Sequence, residues 1–151
     1  MSKVLKDRQT VVIGMSGASG SGRGTFARML VDRIGGVVSP LRDIIDVCLP
    51  EDYQRALLTH VRQIDPKLLI RAATHRYEGA LIIIVPDIET RVEAAECDVV
   101  IHIERPEYEQ LPGESLIGYA PLIVHNSGDV IDLEIKADQV AELVGGGRLV
   151  Y

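Results

Sequence analysis

The most constraining feature of this chain is a run of small residues set between an apolar strand and an apolar helix. Val11-Val12-Ile13, bounded by Thr10 and Gly14, reads as a short, β-branched, buried strand. The loop Gly17-Ala18-Ser19-Gly20-Ser21-Gly22-Arg23-Gly24-Thr25 follows. Phe26, Met29, Leu30 and Ile34 then recur at helical spacing until Gly35-Gly36 stops the helix. Strand, glycine-rich loop and helix in that order form the context a phosphate-binding loop requires. Small residues let backbone N–H groups converge on phosphate oxygens. The helix N-terminus adds a favourable dipole. The Thr25 hydroxyl suits a phosphate, or Mg²⁺ and its waters. Against the common spacing G-x-x-x-x-G-K-[ST], Arg23 stands at the Lys position and Gly24-Thr25 replaces the immediate Ser/Thr. Arginine keeps the charge but presents it as a planar fork.

The rest of the chain alternates. Val37-Val38 is a second strand, closed by Ser39-Pro40, and a short helix fits Leu41 to Cys48. After Pro50, residues 51–63 read as a helix with Tyr53, Ala56, Leu57, His60 and Val61 on one face. Asp65-Pro66 starts another, through Leu68, Leu69, Ala72 and Ala73. Ala80 to Val85 is the strongest strand, apolar throughout and so covered on both faces. A short helix carries Val92 and Ala95; Val99–Ile103 and Leu122–Val124 are strands; residues 105–119 are a loop; Asn126–Asp129 is a turn; 137–144 is a closing helix. This order predicts an α/β chain, a three-layer P-loop NTPase-like fold with a five-stranded, mostly parallel sheet, forming one domain over 1–151.

Composition narrows the function. The net charge of −6 argues against a general nucleic-acid binder. No stretch approaches the roughly 20 apolar residues of a membrane span, and the first residues carry no apolar signal region. Cys48 and Cys97 lie on separate apolar stretches and read as buried free thiols, which fits a reducing cytoplasm. His60, His75, His102 and His125 show no metal spacing and read as structural or surface groups.

The loop resembles the G-x-P-G-S-G-K-G-T loop of adenylate kinases and related nucleoside monophosphate kinases. Later segments, in order, resemble the deoxynucleoside monophosphate kinases of bacteriophages. Ser39-Pro40-Leu41-Arg42 is similar to the family's A-x-P-L-K segment. Val61-Arg62-Gln63-Ile64-Asp65-Pro66 is similar to G-R-x-I-D-P, and Ile84-Val85-Pro86-Asp87 to the I-x-D-V-R strand end. Ile101-His102-Ile103-Glu104-Arg105-Pro106 is similar to V-I-x-I-E-R-P, and Asn126-Ser127-Gly128 to the N-D-G turn.

The resemblance implies transfer of the γ-phosphoryl group of ATP, with Mg²⁺, to a deoxynucleoside 5′-monophosphate in the cytoplasm (a host's, for a viral protein). It also suggests a homodimer. It implies roles by position: Gly17 to Thr25 for the ATP phosphates, with Arg23 neutralising the transferred group. Asp87 and Thr25 would attend Mg²⁺, Asp87 also capping the helix that follows in a plainer reading. Arg42 and Arg62 would take the acceptor's phosphate, Arg105 would reach in from the start of a lid at about 105–119, and Asn126 and Gly128 would border the adenine. Three departures stand out. Arg23 replaces Lys. Glu89 replaces the Arg of D-V-R, with Arg91 two residues on as a substitute. Between Pro106 and Ile135 there is no Lys or Arg, while Glu107, Glu109 and Glu114 are acidic. The departures leave a second reading: a catalytically weak or inactive P-loop protein that binds a nucleotide or a protein partner.

Overall fold

The run Val11 to Ser16 sends side chains alternately to two faces, and both faces are covered. That is the origin of three layers. A computed structural model of the chain describes residues 10–18, 21–45, 50–105 and 116–145. The order is β1 (Val11–Ser16), α1 (Arg23–Ile34), β2 (Val37–Val38), a 3₁₀ turn (Leu41–Ile45), α2 (Glu51–Ile64), α3 (Leu68–His75), β3 (Ile82–Val85), α4 (Arg91–Ala95), β4 (Val99–Glu104), a 3₁₀ turn (Ile117–Tyr119), β5 (Leu122–His125) and α5 (Val130–Gly145).

The five strands lie in the order β2-β3-β1-β4-β5, and every pairing is parallel. On one face Ile13, Met15, Ile84, Ile101 and Val124 pack against Phe26, Ala27 and Leu30 of α1 and Leu133, Ala137, Val140 and Val144 of α5. On the other, Val12, Ile83, Val85 and Val100 pack against Leu69, Ile70 and Ala73 of α3 and Ala94 of α4. With no Trp and a single Phe, this core is aliphatic, and the β-branched strands fit it closely. The chain leaves β1 toward β2 and β3 on one side, then crosses to β4 and β5 on the other. The crevice at the carboxyl end of β1 is therefore the place where a parallel sheet of this kind offers a site.

Three boundaries differ from the sequence expectation. Helix α5 begins at Val130, seven residues before the expected 137, because the Asp129 carboxylate accepts from the Ile131 amide at 3.0 Å and caps the start. Helix α3 begins at Leu68, because Asp65 first closes a turn, taking the Lys67 amide on its carboxylate and the Leu68 amide on its carbonyl. Leu41–Ile45 is a 3₁₀ turn, and residues 46–49, Cys48 among them, lie outside the described residues. So do Ser19 and Gly20 of the loop and residues 106–115 of the expected lid. Cys97 is a half-buried free thiol, pushed up to about 12 by burial and by Asp98, Glu93 and Glu96. Among the described residues, no helix is long and apolar enough to cross a membrane.

Candidate active site

The loop springs from the end of β1 and is held tightly from one side. Gly17 has φ 141°, and a Cβ there would meet the Ile103 carbonyl oxygen at 2.3 Å. Gly22, at φ 101°, is the left-handed residue that starts α1. A Cβ at Gly22 would strike the Asn126 amide nitrogen at 2.5 Å. Asn126 follows β5 and is 5% exposed. Its Nδ2 donates to the Ser21 carbonyl at 2.8 Å, and its Oδ1 accepts from the Gly128 amide at 2.9 Å. Helix α1 has no side-chain cap. The Phe26 amide closes a helical bond onto the Gly22 carbonyl, while Gly22, Arg23, Gly24 and Thr25 line a cavity.

That cavity has a volume of about 660 Å³, within the usual range for a ligand site. It extends from the loop toward the ends of β2 and β3 (Val38, Pro40, Arg42, Pro86, Asp87) and toward the ends of β4 and β5 (Arg105, Asn126, Gly128). Four arginines line it: Arg23, Arg28, Arg42 and Arg105. Arg23 carries the clearest signature. Its Nη1 is buried with no partner, and so is the Ser21 hydroxyl beside it in the loop. Unpartnered buried polar atoms are rare and costly in a folded protein, and water or a ligand completes their hydrogen bonding. Burial depresses the Arg23 guanidinium, and Asp87 and Glu89 counter that by holding its charge. It stays cationic.

Asp87 sits just past the end of β3 and lines the cavity. Its two carboxylate oxygens accept from the Leu41 amide at 2.8 Å and the Arg42 amide at 3.3 Å. Burial raises its pKa, while those amides, Arg23 and Arg42 pull the other way. It caps the 3₁₀ turn that carries Arg42. The helix that follows, α4, is capped instead by Thr90, whose hydroxyl accepts from Glu93.

The other two acceptor candidates lie elsewhere. Arg62 does not line the cavity: its Nε and Nη2 donate to Glu93 at 2.7 and 3.2 Å, and its Nη1 to Glu89 at 3.1 Å. Burial works against its charge, but the Glu93 and Glu89 carboxylates outweigh it and raise the pKa. Glu89, the acidic residue at a position where the resemblance expects Arg, is therefore half of an ion pair. Arg91, the exposed first residue of α4, also lies off the cavity lining.

Sequence reasoning passed over Arg28, Asp43 and Asp129, all of which line the cavity. The signal for Arg28 was present: it lies three residues, about one helical turn, after Thr25. His102 pairs through Nδ1 with the Ser16 hydroxyl at 2.9 Å, directly beneath the loop. Burial lowers its pKa and so does Arg23, against Glu104.

ATP fits these residues, because a phosphate oxygen would accept from the orphaned Arg23 Nη1. Among the described residues no group of three or more His, Cys, Asp or Glu side chains is placed to hold a metal. Mg²⁺ fits only as an ion carried in on phosphates and keeping most of its water, with Thr25 and Asp87 beside it.

No family model and no curated protein matches the sequence. Solved structures match the fold. Shikimate kinase from Bacteroides thetaiotaomicron aligns over 91% of this chain and 99% of its own, with TM-score 0.58 and 16% identity. TT1252 from Thermus thermophilus aligns over 89% of this chain and 98% of its own, with TM-score 0.51 and 18% identity. The chain thus shares the α/β fold of these structures, a five-stranded parallel sheet covered by helices, with its glycine loop at the end of the central strand.

Proposed function

We propose that this chain is a phosphotransferase that moves the γ-phosphoryl group of ATP to a deoxynucleoside 5′-monophosphate. The observation that carries the proposal is the buried, unpartnered Nη1 of Arg23, a residue at the mouth of α1 that lines the cavity. That donor needs an acceptor, and the helix end favours an anion. Kinases of the fold run the transfer by positioning and charge neutralisation rather than covalent chemistry. An acceptor phosphate oxygen attacks the γ-phosphorus, the bond to the β–γ bridging oxygen breaks, and ADP leaves.

The chain's own residues supply the holding. Loop amides and Arg23 cradle the donor phosphates. Asp87 fixes the turn that presents Arg42, which faces the cavity from the β2 side and suits the acceptor's phosphate. Arg105 lies against Gly128, its Nη2 3.3 Å from where a Cβ would stand, and lines the β4–β5 side of the cavity, from where it would reach the transferred group. Mg²⁺, when bound, neutralises phosphate charge between the two substrates. The choice of a nucleotide as acceptor rests on the resemblance of the segments around Arg42, Asp87 and Asn126 to the phage kinases. One fold neighbour is a shikimate kinase.

ADP release in a coupled assay, with ATP, Mg²⁺ and each common deoxynucleoside monophosphate in turn, tests the reading. Turnover is expected with at least one acceptor, and Arg23→Lys should change it only modestly. Tight ATP binding without turnover on any acceptor would leave a nucleotide-binding protein in place of a kinase.

A further inference from the structure

The acidic stretch from Pro106 to Ile135 supplies no Lys or Arg, so cations for a nucleoside triphosphate must come from elsewhere. Helix α1 offers one. Arg28 lines the cavity beside Gly24 and Thr25 and is exposed. Among the described residues its side chain has no hydrogen bond or ion pair. Arg33, farther along the same helix, is by contrast held by Asp138 and the Met29 carbonyl.

Direction settles where Arg28 reaches. Helical side chains lean toward the N-terminus, so residue 28 lies over residue 24. Residue 24 is glycine, and even a Cβ added there would meet nothing within 4 Å. The Arg28 stem therefore crosses a bare turn. The way back to the loop mouth is about 6 Å at the helical rise, a span an extended arginine covers. Any larger residue at 24 would fill that path.

We infer that Arg28 is a phosphate-binding residue for the donor nucleotide, a cation delivered by the first helix where the stretch from Pro106 to Ile135 has none. The inference rests on reading the cavity as a nucleoside triphosphate site. It makes Gly24 and Arg28 a working pair at helical spacing.

Calorimetric titration of ATP with Mg²⁺ into the full chain, the Arg28→Gln variant and the Arg28→Lys variant tests it. The Gln variant should bind ATP about fivefold more weakly, the size of an exposed charge contact. Lysine should recover most of the loss, and the gap should narrow at high salt. The Michaelis constant for the acceptor should not move. Equal ATP affinity in the wild type and the Gln variant overturns the inference. So does an equal loss in both variants with a lowered melting temperature, which marks a structural role. Failure of the wild type to bind any nucleotide is a different result and removes the reading of the site itself.

Discussion

Two buried side chains on the last pair of strands hold the loop from one side. Asn126 anchors its far end through the Ser21 carbonyl, and His102 anchors its root through the Ser16 hydroxyl. The imidazole is 5% exposed, so its neutral form is the one that packs. The sign of the pH effect follows. Burial, with Arg23 nearby, depresses the folded-state pKa below the ordinary 6.5, against the pull of Glu104. The unfolded chain takes up this proton first as pH falls. Stability from neutral His102 is fully present above about pH 6.5 and is lost as pH falls through the depressed value. Thermal melts from pH 7.5 to 5 should show the wild type losing ground to His102→Gln across that window. Parallel curves for the two proteins would refute a buried neutral imidazole.

At the scale of elements, α2 and α4 are joined by a buried ion pair. The Glu93 carboxylate is fully buried and takes the Arg62 fork and the Glu89 amide at 3.0 Å. Removing one member strands the other. Glu93→Leu, which leaves the Arg62 guanidinium with only the more exposed Glu89 as partner, should cost about 3 kcal/mol in denaturant unfolding. Arg62→Leu should cost a similar amount by stranding the carboxylate. The double variant should cost much less than their sum, because a buried pair exchanged for apolar side chains is close to neutral. Strict additivity would mean that the two side chains do not interact.

That pair also marks the limit of what could be read from the chain. The strands and their two covered faces were visible as apolar runs around Val12, Ile83 and Val100, because sheet burial repeats along the sequence. The loop was visible because two of its glycines, Gly17 and Gly22, are needed where they stand. Arg62 reads from the sequence as an acceptor-phosphate residue, yet the structure pairs it with Glu93, 31 residues away, and the Ser16–His102 pair spans 86. Contacts between charges or hydroxyls so far apart leave no periodic trace. The early start of α5 was hidden for a related reason. Its buried stripe of Leu133, Ala137, Val140 and Val144 begins among exposed Val130, Ile131 and Ile135, which blur the pattern.

Taken whole, the molecule carries 22 acidic against 16 basic residues, yet four of its arginines converge on one cavity. Asp43, Asp87 and Asp129 line the same cavity, while Arg33, Arg71 and Arg62 are paired away from it by Asp138, Glu96 and two glutamates. An acidic surface repels a polyanion except where a cleft of opposite sign focuses the field. The phosphates, rather than the base, should then dominate recognition. Saturating ATP with Mg²⁺, at about a hundred times its dissociation constant, should stabilise the fold by roughly 2.7 kcal/mol. For a chain of this size that raises the melting temperature by about 5–10 °C. Inorganic tripolyphosphate alone should give much of that shift and adenosine almost none, with the ATP shift shrinking as salt rises. Adenosine protecting the protein as well as ATP does would show that the arginine-lined mouth of α1 is not what holds the ligand.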